Sequence, residues 1–574
     1  MLLANIKQVK QTPWTDCQTL CTQQVLVLVF YAICYAALLF SPSEAAGHAD
    51  EKSESFLITS LIVNRVNIFT QDQAEQSSVY QAVNTLHKTT REATILRELD
   101  LEPGQRVTTA QIAEFERILR RTDLFASVSV TVEPDSNSTG AESFAIRINT
   151  RDRISIVAGA SGSFLGGVGE LGFTLGERNV AGLGDSVLLS YTGNTENELR
   201  GALSYSDLHF INRDQRALYQ IGRTEEGDFY RVRFQRPFRN LQDKVAWSVL
   251  AESVERDIDF YEQGVSVVQI PETRRAVDLS GVWRTGNADL SFRRGLVFQF
   301  SDQVYEESRG VQADTIDPPE DSTEVFAGVL VARDKINEFR KVSGIDTLKF
   351  TQDISLGSVA ELQLGFIHTN FNNSSSDSLL TPTLNGRVAT SLASGDNTLL
   401  SFSLSGAATL ADIGDAVAPL ADNRTWSVSA SGKWFNTSFD SHTLAARLDY
   451  TFAQSDLDLP VQFTLGENNG LRGYDRRFLS GRERLRLNIE DRMDFDWRVG
   501  VFDVGLLGFF DAGWVADDDG TDSLRRSAGV GLRLGSGVLL GAGVIRIDVA
   551  VPFDDDSGSH DPLLSIAVGQ VFSF

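Results

Sequence analysis

The feature that most constrains the fold is an alternation in residues 562–574. Leu564, Ile566, Val568, Phe572 and Phe574 share one parity, and small or polar residues occupy most of the positions between them. A period of two predicts a β-strand with one apolar and one small or polar face. The apolar face of such a strand lies against lipid in a membrane barrel, or against a protein core when the strand is at the edge of a soluble sheet.

The other end of the chain carries a different signal. Residues 25–40 form an uncharged apolar run that follows two lysines and precedes several small residues. The run is shorter than the ~20 residues that a spanning helix needs. The layout predicts a secretory signal peptide over residues 1–46. Cys17, Cys21 and Cys34 all lie within it, so a chain that starts at Gly47 has no thiol for catalysis, disulfides or metal binding.

Composition and scattered residues exclude several functions. The formal net charge of -25 argues against nucleic acid as a partner. The six histidines show no metal-ligand spacing, and no G-x-S-x-G motif is present, so the sequence predicts neither an enzyme nor a cofactor or metal site. A protease or lipase built from dispersed barrel residues is the remaining enzyme alternative.

A small α/β unit is predicted before the long alternating region. Residues 47–60 carry little pattern and are interpreted as a flexible segment, and residues 61–150 read as β-α-α-β-β. The helix over residues 108–121 has apolar residues at 3–4 spacing and a threonine cap.

Residues 152–574 show no convincing helical period. Short alternating segments recur between Gly, Asp, Asn and Ser clusters, which predicts strands and turns. Because open sheet edges are not tolerated in lipid, strands that cross a membrane must close into a barrel. The density of the last strands predicts a transmembrane antiparallel β-barrel of about 16 strands, and 12 or 18 remain open.

Several motifs resemble one family. The segment that ends in Leu471, Arg472, Gly473 and Tyr474 is similar to a loop signature of the barrel-assembly and surface-antigen superfamily, which includes BamA-like and TamA-like proteins and two-partner secretion transporters. Residues 509–513 resemble its F-x-D-x-G strand, residues 179–184 its turn near the barrel start, and residues 61–150 its periplasmic POTRA domain. Relatives with large substrates usually carry two or more POTRA units, and this chain has space for one.

The resemblance implies a site. In relatives the loop folds into the lumen, where its arginine pairs with the strand aspartate and an inward glutamate, which here would be Asp511 and Glu490. A guanidinium held by two carboxylates makes fixed, forked bonds. The resemblance also implies that Phe572 and Phe574 form a C-terminal assembly signal. A surface arginine without a partner is the alternative for Arg472.

The resemblance implies an outer-membrane factor that inserts or translocates proteins, with the POTRA-like unit in the periplasm. Its partners would be lipid, unfolded outer-membrane or exported client proteins, and accessory periplasmic proteins. A weak seam between the first and last strands is expected, because residues 154–163 are rich in glycine and small side chains. A secretion transporter for one exported protein and a passive porin-like channel are the alternatives.

Overall fold

The computed structural model describes residues 55–99, 101–135, 143–165, 168–195, 199–212, 214–224, 227–240, 243–287, 289–348, 352–372, 378–410, 425–455, 461–516, 522–535, 544–554 and 561–573. The predicted signal peptide and Phe574 lie outside these residues. No helix in the described part of the chain is long and apolar enough to cross a membrane.

The first part is a small α/β unit. Its elements are β1 (Ser55–Val66), α1 (Gln71–Glu75), α2 (Ser78–Leu86), α3 (Glu92–Leu99), β2 (Arg106–Thr108), α4 (Thr109–Arg121), β3 (Phe125–Pro134) and β4 (Ser143–Asp152). The strands lie in the order β2-β1-β4-β3, and β1 and β4 run parallel. The helices bury an apolar core against this sheet, with Ile95, Leu119, Ile146 and Ile148 fully enclosed.

Two details of this unit differ from the sequence prediction. Residues 55–60, predicted as flexible, form the first half of β1, because they pair with β2 and with the start of β4. The short strand β2 was not predicted, because three residues are too few for a period. Helix α4 is as expected, and Thr108 caps it in a capping box with Gln111.

Long antiparallel strands make up the second part. The barrel strands are β5 (Ile156–Leu165), β6 (Val168–Val180), β7 (Asp185–Asn194), β8 (Leu199–Asp207), β9 (Arg216–Arg223), β10 (Asp228–Arg236), β11 (Val245–Glu262), β12 (Val265–Gly286), β13 (Leu290–Tyr305), β14 (Ser322–Val342), β15 (Gln352–Phe371), β16 (Ser378–Ser394), β17 (Thr398–Thr409), β18 (Thr425–Phe439), β19 (His442–Ser455), β22 (Glu483–Val499), β23 (Phe502–Ala516), β24 (Asp522–Gly535), β25 (Val544–Pro552) and β26 (Leu563–Val568). A separate hairpin, β20 (Phe463–Leu465) and β21 (Leu479–Gly481), lies between β19 and β22.

Each barrel strand pairs with its sequence neighbour, β19 pairs with β22, and β26 lies beside β5 in a closed order. The described residues therefore form 20 barrel strands, and the prediction of about 16 was wrong. The estimate assumed longer loops than the chain has. For example, the β11–β12 hairpin turns on Gln263 and Gly264 alone, both at positive φ.

The two faces of the barrel differ as alternation requires. On β6, Leu171, Phe173 and Leu175 are exposed on the outer face, and on β13 Leu296 and Phe298 are. Large apolar side chains exposed on the outer face of these strands suit hydrocarbon and not water. The lumen face of the strands carries buried charged groups, which include Glu490, Asp511, Arg533 and Asp548.

The last residues do not follow the predicted strand. Strand β26 ends at Val568, and Gly569 adopts φ +94°, a conformation that favours glycine. The chain then turns into the lumen, where Phe572 is buried. The prediction that Phe572 shares the outer face with Ile566 was wrong, because a backbone turn between them removes the parity on which it depended.

Candidate functional site

The loop between β19 and β22, residues 461–482, lies inside the barrel. Strands β20 and β21 form its hairpin. Between them lie a short 3-10 helix, Glu467–Asn469, and then Leu471. Leu465, Leu471 and Tyr474 pack with Val515 of β23 in a buried apolar cluster. This packing fixes the base of the loop against the barrel wall.

Arg472 is the centre of the site, and its side chain is 0% exposed. Nε donates to Asp511 Oδ2 at 2.7 Å, and Nη2 donates to Asp511 Oδ1 at 2.9 Å. The guanidinium also lies 3.0 Å from Glu490 Oε1 and stacks over the Phe509 ring at 3.5 Å. The structure thus brings Arg472, Asp511 and Glu490 together, as the resemblance implies.

A third carboxylate, which the sequence did not point to, completes the cluster. Asp548 Oδ2 lies 3.5 Å from Arg472 Nη1. Two further arginines face these acids: Arg492 lies 2.7 Å from Glu490, and Arg533 lies 2.5 Å from Asp548. We name these six residues the lumen cluster. Three guanidinium groups thus face three carboxylates, so each buried charge has a neighbour of opposite sign.

The backbone around Arg472 is also fixed by polar contacts. The Gly473 amide donates to Glu467 Oε2 at 2.8 Å, and Asn488 Nδ2 donates to the Gly470 carbonyl at 2.7 Å. The Tyr474 hydroxyl donates to the Arg526 carbonyl at 2.8 Å. Every residue of the Leu471–Tyr474 motif therefore has a defined contact inside the barrel.

Residues 570–573, which we name the tail, lie beside the lumen cluster. Phe572 packs in an apolar group with Ile345, Leu356, Leu399 and Phe435. Lys433 Nζ donates to the Ser573 carbonyl at 2.7 Å. The tail is therefore anchored by both apolar and polar contacts, and it is not part of the barrel wall.

Residues 343–348, between β14 and β15, also reach into the lumen, and we name them the turn. Ile345 is buried beside Phe572, and its carbonyl accepts a hydrogen bond from Arg492. Leu348 packs directly against Gly505 and Gly535, since a Cβ added to either glycine would lie 2.9 or 3.2 Å from the Leu348 side chain. The turn thus crosses from β14 and β15 to the strands that carry the lumen cluster.

A second buried polar group joins the small unit to the barrel. His87 Nδ1 lies 2.7 Å from Ser155 Oγ, and Nε2 lies 2.8 Å from Asp152 Oδ2. Thr90 contacts Asp152 through its amide and hydroxyl, and Asn179 Nδ2 donates to the Thr90 hydroxyl at 2.8 Å. We name these residues the junction. The order of groups resembles a Ser-His-Asp triad, but all three are buried, so the arrangement offers no access to a substrate.

Residues 179–184, near the barrel start, contact the small unit beside the junction. The Gly182 carbonyl accepts from the Arg91 amide at 2.9 Å and from the Thr94 hydroxyl at 3.0 Å. A Cβ on Gly182 would lie 2.6 Å from the Thr89 carbonyl, so glycine is needed for this close approach. The sequence pointed to residues 179–184 by resemblance but gave no partner for them.

No group of His, Cys, Asp and Glu in the described ranges is arranged to hold a metal. Sequence reasoning missed Asp548, Arg492, Arg533, Arg447 and the junction. These four residues lie on β19, β22, β24 and β25, where alternation places them on the lumen face, and this was the available signal. Their partners lie on distant strands or in the tail, and nothing in one sequence pairs them.

Comparison with known proteins gives one family. The model described as the Omp85 superfamily domain matches residues 179–574, which is more than half of the chain. No curated protein matches the chain by sequence.

Three solved structures are distantly similar to this chain. CdiB from Escherichia coli is 14% identical, with coverage of 98% of this chain and 99% of that chain and a TM-score of 0.43. CdiB from Acinetobacter baumannii is 11% identical, with 90% of each chain covered and a TM-score of 0.40. BamA from Haemophilus ducreyi lacking POTRA domains 1-3 is 13% identical, with 90% and 84% covered and a TM-score of 0.38. The family is shown by the match over residues 179–574.

Proposed function

The chain belongs to the Omp85 superfamily, and from this premise we propose that it inserts or translocates unfolded proteins at a bacterial outer membrane. It acts through a barrel seam that opens sideways and through a POTRA-like periplasmic unit. Residues 1–46 are the signal peptide in this proposal, and residues 61–150 with the first half of β1 are the POTRA-like unit.

One observation carries the proposal. Among the residues that the structure describes, strand β26 pairs with β5 through one residue pair, Ile566 and Phe164. On its other side β26 pairs with β25 over Leu563–Val568, and β5 pairs with β6 along its whole length. Since backbone pairing in lipid is the main force that closes a barrel, the seam is its weakest line.

The inward tail leaves this seam open. Continuing the register from Ile566 and Phe164 by six residues would place residue 572 opposite residue 158. With the tail in the lumen, residues 156–163 of β5 pair with β6 alone. A free strand edge is a template on which an incoming strand adds by main-chain hydrogen bonds. An unfolded client strand is the partner that this edge suits.

The small unit supports the same reading. The sheet of this unit has two edge strands, β2 and β3. Hydrogen bonds at and beside the junction hold the unit against barrel residues 179–184. In this proposal the unit lies in the periplasm, as the resemblance to a POTRA domain implies. There it can hold an unfolded chain near the β5 edge.

A passive channel suits the lumen less well. Such a channel needs an open path, whereas the loop, the turn and the tail all occupy the lumen and pack on buried partners. A secretion transporter for one exported protein uses the same barrel, so client identity distinguishes it from a general insertion factor.

The test locks the seam with a disulfide in a chain without Cys17, Cys21 and Cys34. The pair Phe164→Cys and Ile566→Cys is suitable, because directly opposite residues have Cα atoms about 4.5–5.5 Å apart, within disulfide range. The control pair is Leu532→Cys and Ile547→Cys, which are opposite each other in the fully paired β24–β25 ladder.

The assay is insertion of an unfolded outer-membrane barrel protein into phospholipid vesicles that contain the purified protein. We expect the oxidised seam pair to stop insertion and dithiothreitol to restore it, with the control pair active throughout. Full activity of the oxidised seam pair would exclude the lateral route. If ion conductance persists but neither pair supports insertion, the channel alternative is favoured.

A further inference from the structure

Three consecutive tail residues are each held by a lumen arginine. The contacts are Arg533 Nε to Gln570 Oε1 at 3.1 Å, Arg447 Nη1 to the Val571 carbonyl at 3.4 Å, and Arg492 Nη2 to the Phe572 carbonyl at 2.9 Å. Two of these carbonyls belong to the backbone, so the contacts depend on where the tail lies and not only on its side chains.

Each of these arginines also binds a residue that holds the loop. The second contacts are Arg533 to Asp548 at 2.5 Å, Arg447 Nη2 to Asn488 Oδ1 at 2.5 Å, and Arg492 to Glu490 at 2.7 Å. Asp548 and Glu490 lie beside Arg472, and Asn488 donates to Asp511 at 2.6 Å and to the Gly470 carbonyl. Three parallel connections therefore run from the tail to the loop.

We propose that Arg447, Arg492 and Arg533 are positioning residues that couple the tail to the loop. When the tail lies in the lumen, each guanidinium has fixed acceptors on both sides and holds its loop partner in place. When the tail leaves to pair with β5, each loses an acceptor, and the loop loosens. The coupling is a property of the barrel itself; only its use during client entry rests on the proposed function.

The chemistry of arginine suits this role. A guanidinium has five donors in a fixed plane and cannot lose its charge, so it can bridge two acceptors in one orientation. All three arginines are buried, and a buried donor that loses its acceptor is destabilised by its own desolvation. The free energy of the tail position is thus linked to that of the loop position.

Arg492 extends the coupling to the turn. It donates to the Ile345 carbonyl, and its guanidinium lies 4.9 Å from the centre of the Phe572 ring. Ile345 and Phe572 pack in the same apolar cluster. Arg492 is therefore the residue whose change is expected to affect the tail, the turn and the loop together.

The test measures the loop and the tail separately in purified protein. The loop is read by the rate at which trypsin cleaves after Arg476 or Arg477, which lie in it. The tail is read by the rate at which a maleimide-polyethylene glycol labels Val571→Cys in a chain without the three natural cysteines; this substitution keeps the Val571 carbonyl that Arg447 contacts. Heat-modifiable gel migration verifies that each variant is folded.

The variants are Arg492→Lys and Arg472→Ala. Lysine keeps the charge beside Glu490 but lacks the fork that reaches the Phe572 carbonyl. We expect Arg492→Lys to speed loop cleavage and Arg472→Ala to speed tail labelling, each at least about fivefold, since coupling is reciprocal and typically falls in that range. The described structure shows no hydrogen bond or ion pair from Arg492 to the loop, or from Arg472 to the tail.

Arg293→Lys is the matched control, because Arg293 also faces the lumen between two carboxylates, Asp334 and Glu361, but contacts neither loop nor tail. It should leave both rates unchanged. Phe572→Ala, which keeps the backbone carbonyl, replaces Arg492→Lys if that variant does not fold. The coupling would be overturned by an unchanged rate of loop cleavage in folded Arg492→Lys or its replacement Phe572→Ala. An unchanged rate of tail labelling in Arg472→Ala would also overturn it. No client is involved, so a failure of insertion does not affect the result.

Discussion

Two arginine–carboxylate forks, one in the small unit and one in the barrel, have similar geometry and different surroundings. Arg147 contacts Glu133 through Nε at 2.9 Å and Nη2 at 2.9 Å, and Arg472 contacts Asp511 through the same two nitrogens at 2.7 and 2.9 Å. The side chains of the first pair are 33% and 44% exposed, and those of the second are 0% exposed. Burial, and not bond geometry, therefore distinguishes them.

The difference has a physical consequence. Water solvates Arg147 and Glu133 whether or not they touch, so their contact adds little to stability. Arg472 has no such alternative, because the loss of a partner leaves a buried charge uncompensated. The two forks thus allow predictions that separate the role of burial from that of geometry.

The largest effect is expected from breaking the buried fork. Arg472→Ala leaves Asp511 without its counter-charge, at a cost of roughly 3–5 kcal/mol, and Asp511→Asn should resemble it. The double variant should be no worse than either single change, because the two residues act as one unit. The measurement is trypsin sensitivity of the loop together with client insertion. Additive defects in the double variant would show that the two residues contribute separately.

The junction provides an intermediate case, since its groups are buried but belong to smaller clusters. His87→Gln should weaken the contacts to Asp152 and Ser155 and lower the free energy of local opening by about 1–3 kcal/mol. Amide hydrogen exchange at Thr90, whose amide donates to Asp152, reports this opening. His368→Gln is the control, since His368 is an exposed residue of β15. Equal exchange in both variants would mean that His87 does not stabilise the junction.

The backbone beside Arg472 should matter less than its charge. Gly473 has φ +89°, and a Cβ there would lie 3.1 Å from the Ala550 side chain. Gly473→Ala is therefore expected to destabilise the protein in two ways. The left-handed conformation costs alanine about 1–2 kcal/mol, and the close contact with Ala550 adds a further cost that Ala550→Gly should relieve. Gly395→Ala, at φ +64° with nothing within 4 Å, isolates the conformational part. The readout is the urea midpoint of heat-modifiable migration. A double variant that is no more stable than Gly473→Ala would show that the contact is unimportant.

Sequence reasoning reached the buried fork because three motifs lie in family order, and because alternation places Glu490 and Asp511 on the lumen face. It did not reach Asp548, Arg492 or the tail, since these depend on contacts between distant strands. The parity of Phe572 is correct as a pattern and wrong as a placement, because Gly569 turns the chain and Arg492 offers the Phe572 carbonyl a donor in the lumen. The strand number was missed because the estimate assumed longer loops than the chain has.

The smallest effect is expected from the exposed fork. The Arg147 guanidinium holds the pKa of Glu133 below its usual value through their hydrogen bond. Stability from this pair is therefore present at neutral pH and is lost as the pH falls through the lowered pKa. Because water competes for both groups, Glu133→Gln should leave the thermal midpoint at pH 7 unchanged within error and should not alter its shift between pH 7 and pH 3. The matched comparison is Asp511→Asn, which alters the same kind of bond in the lumen. If Glu133→Gln lowered the midpoint as much as Asp511→Asn does, the geometry of the fork, and not its burial, would set its contribution.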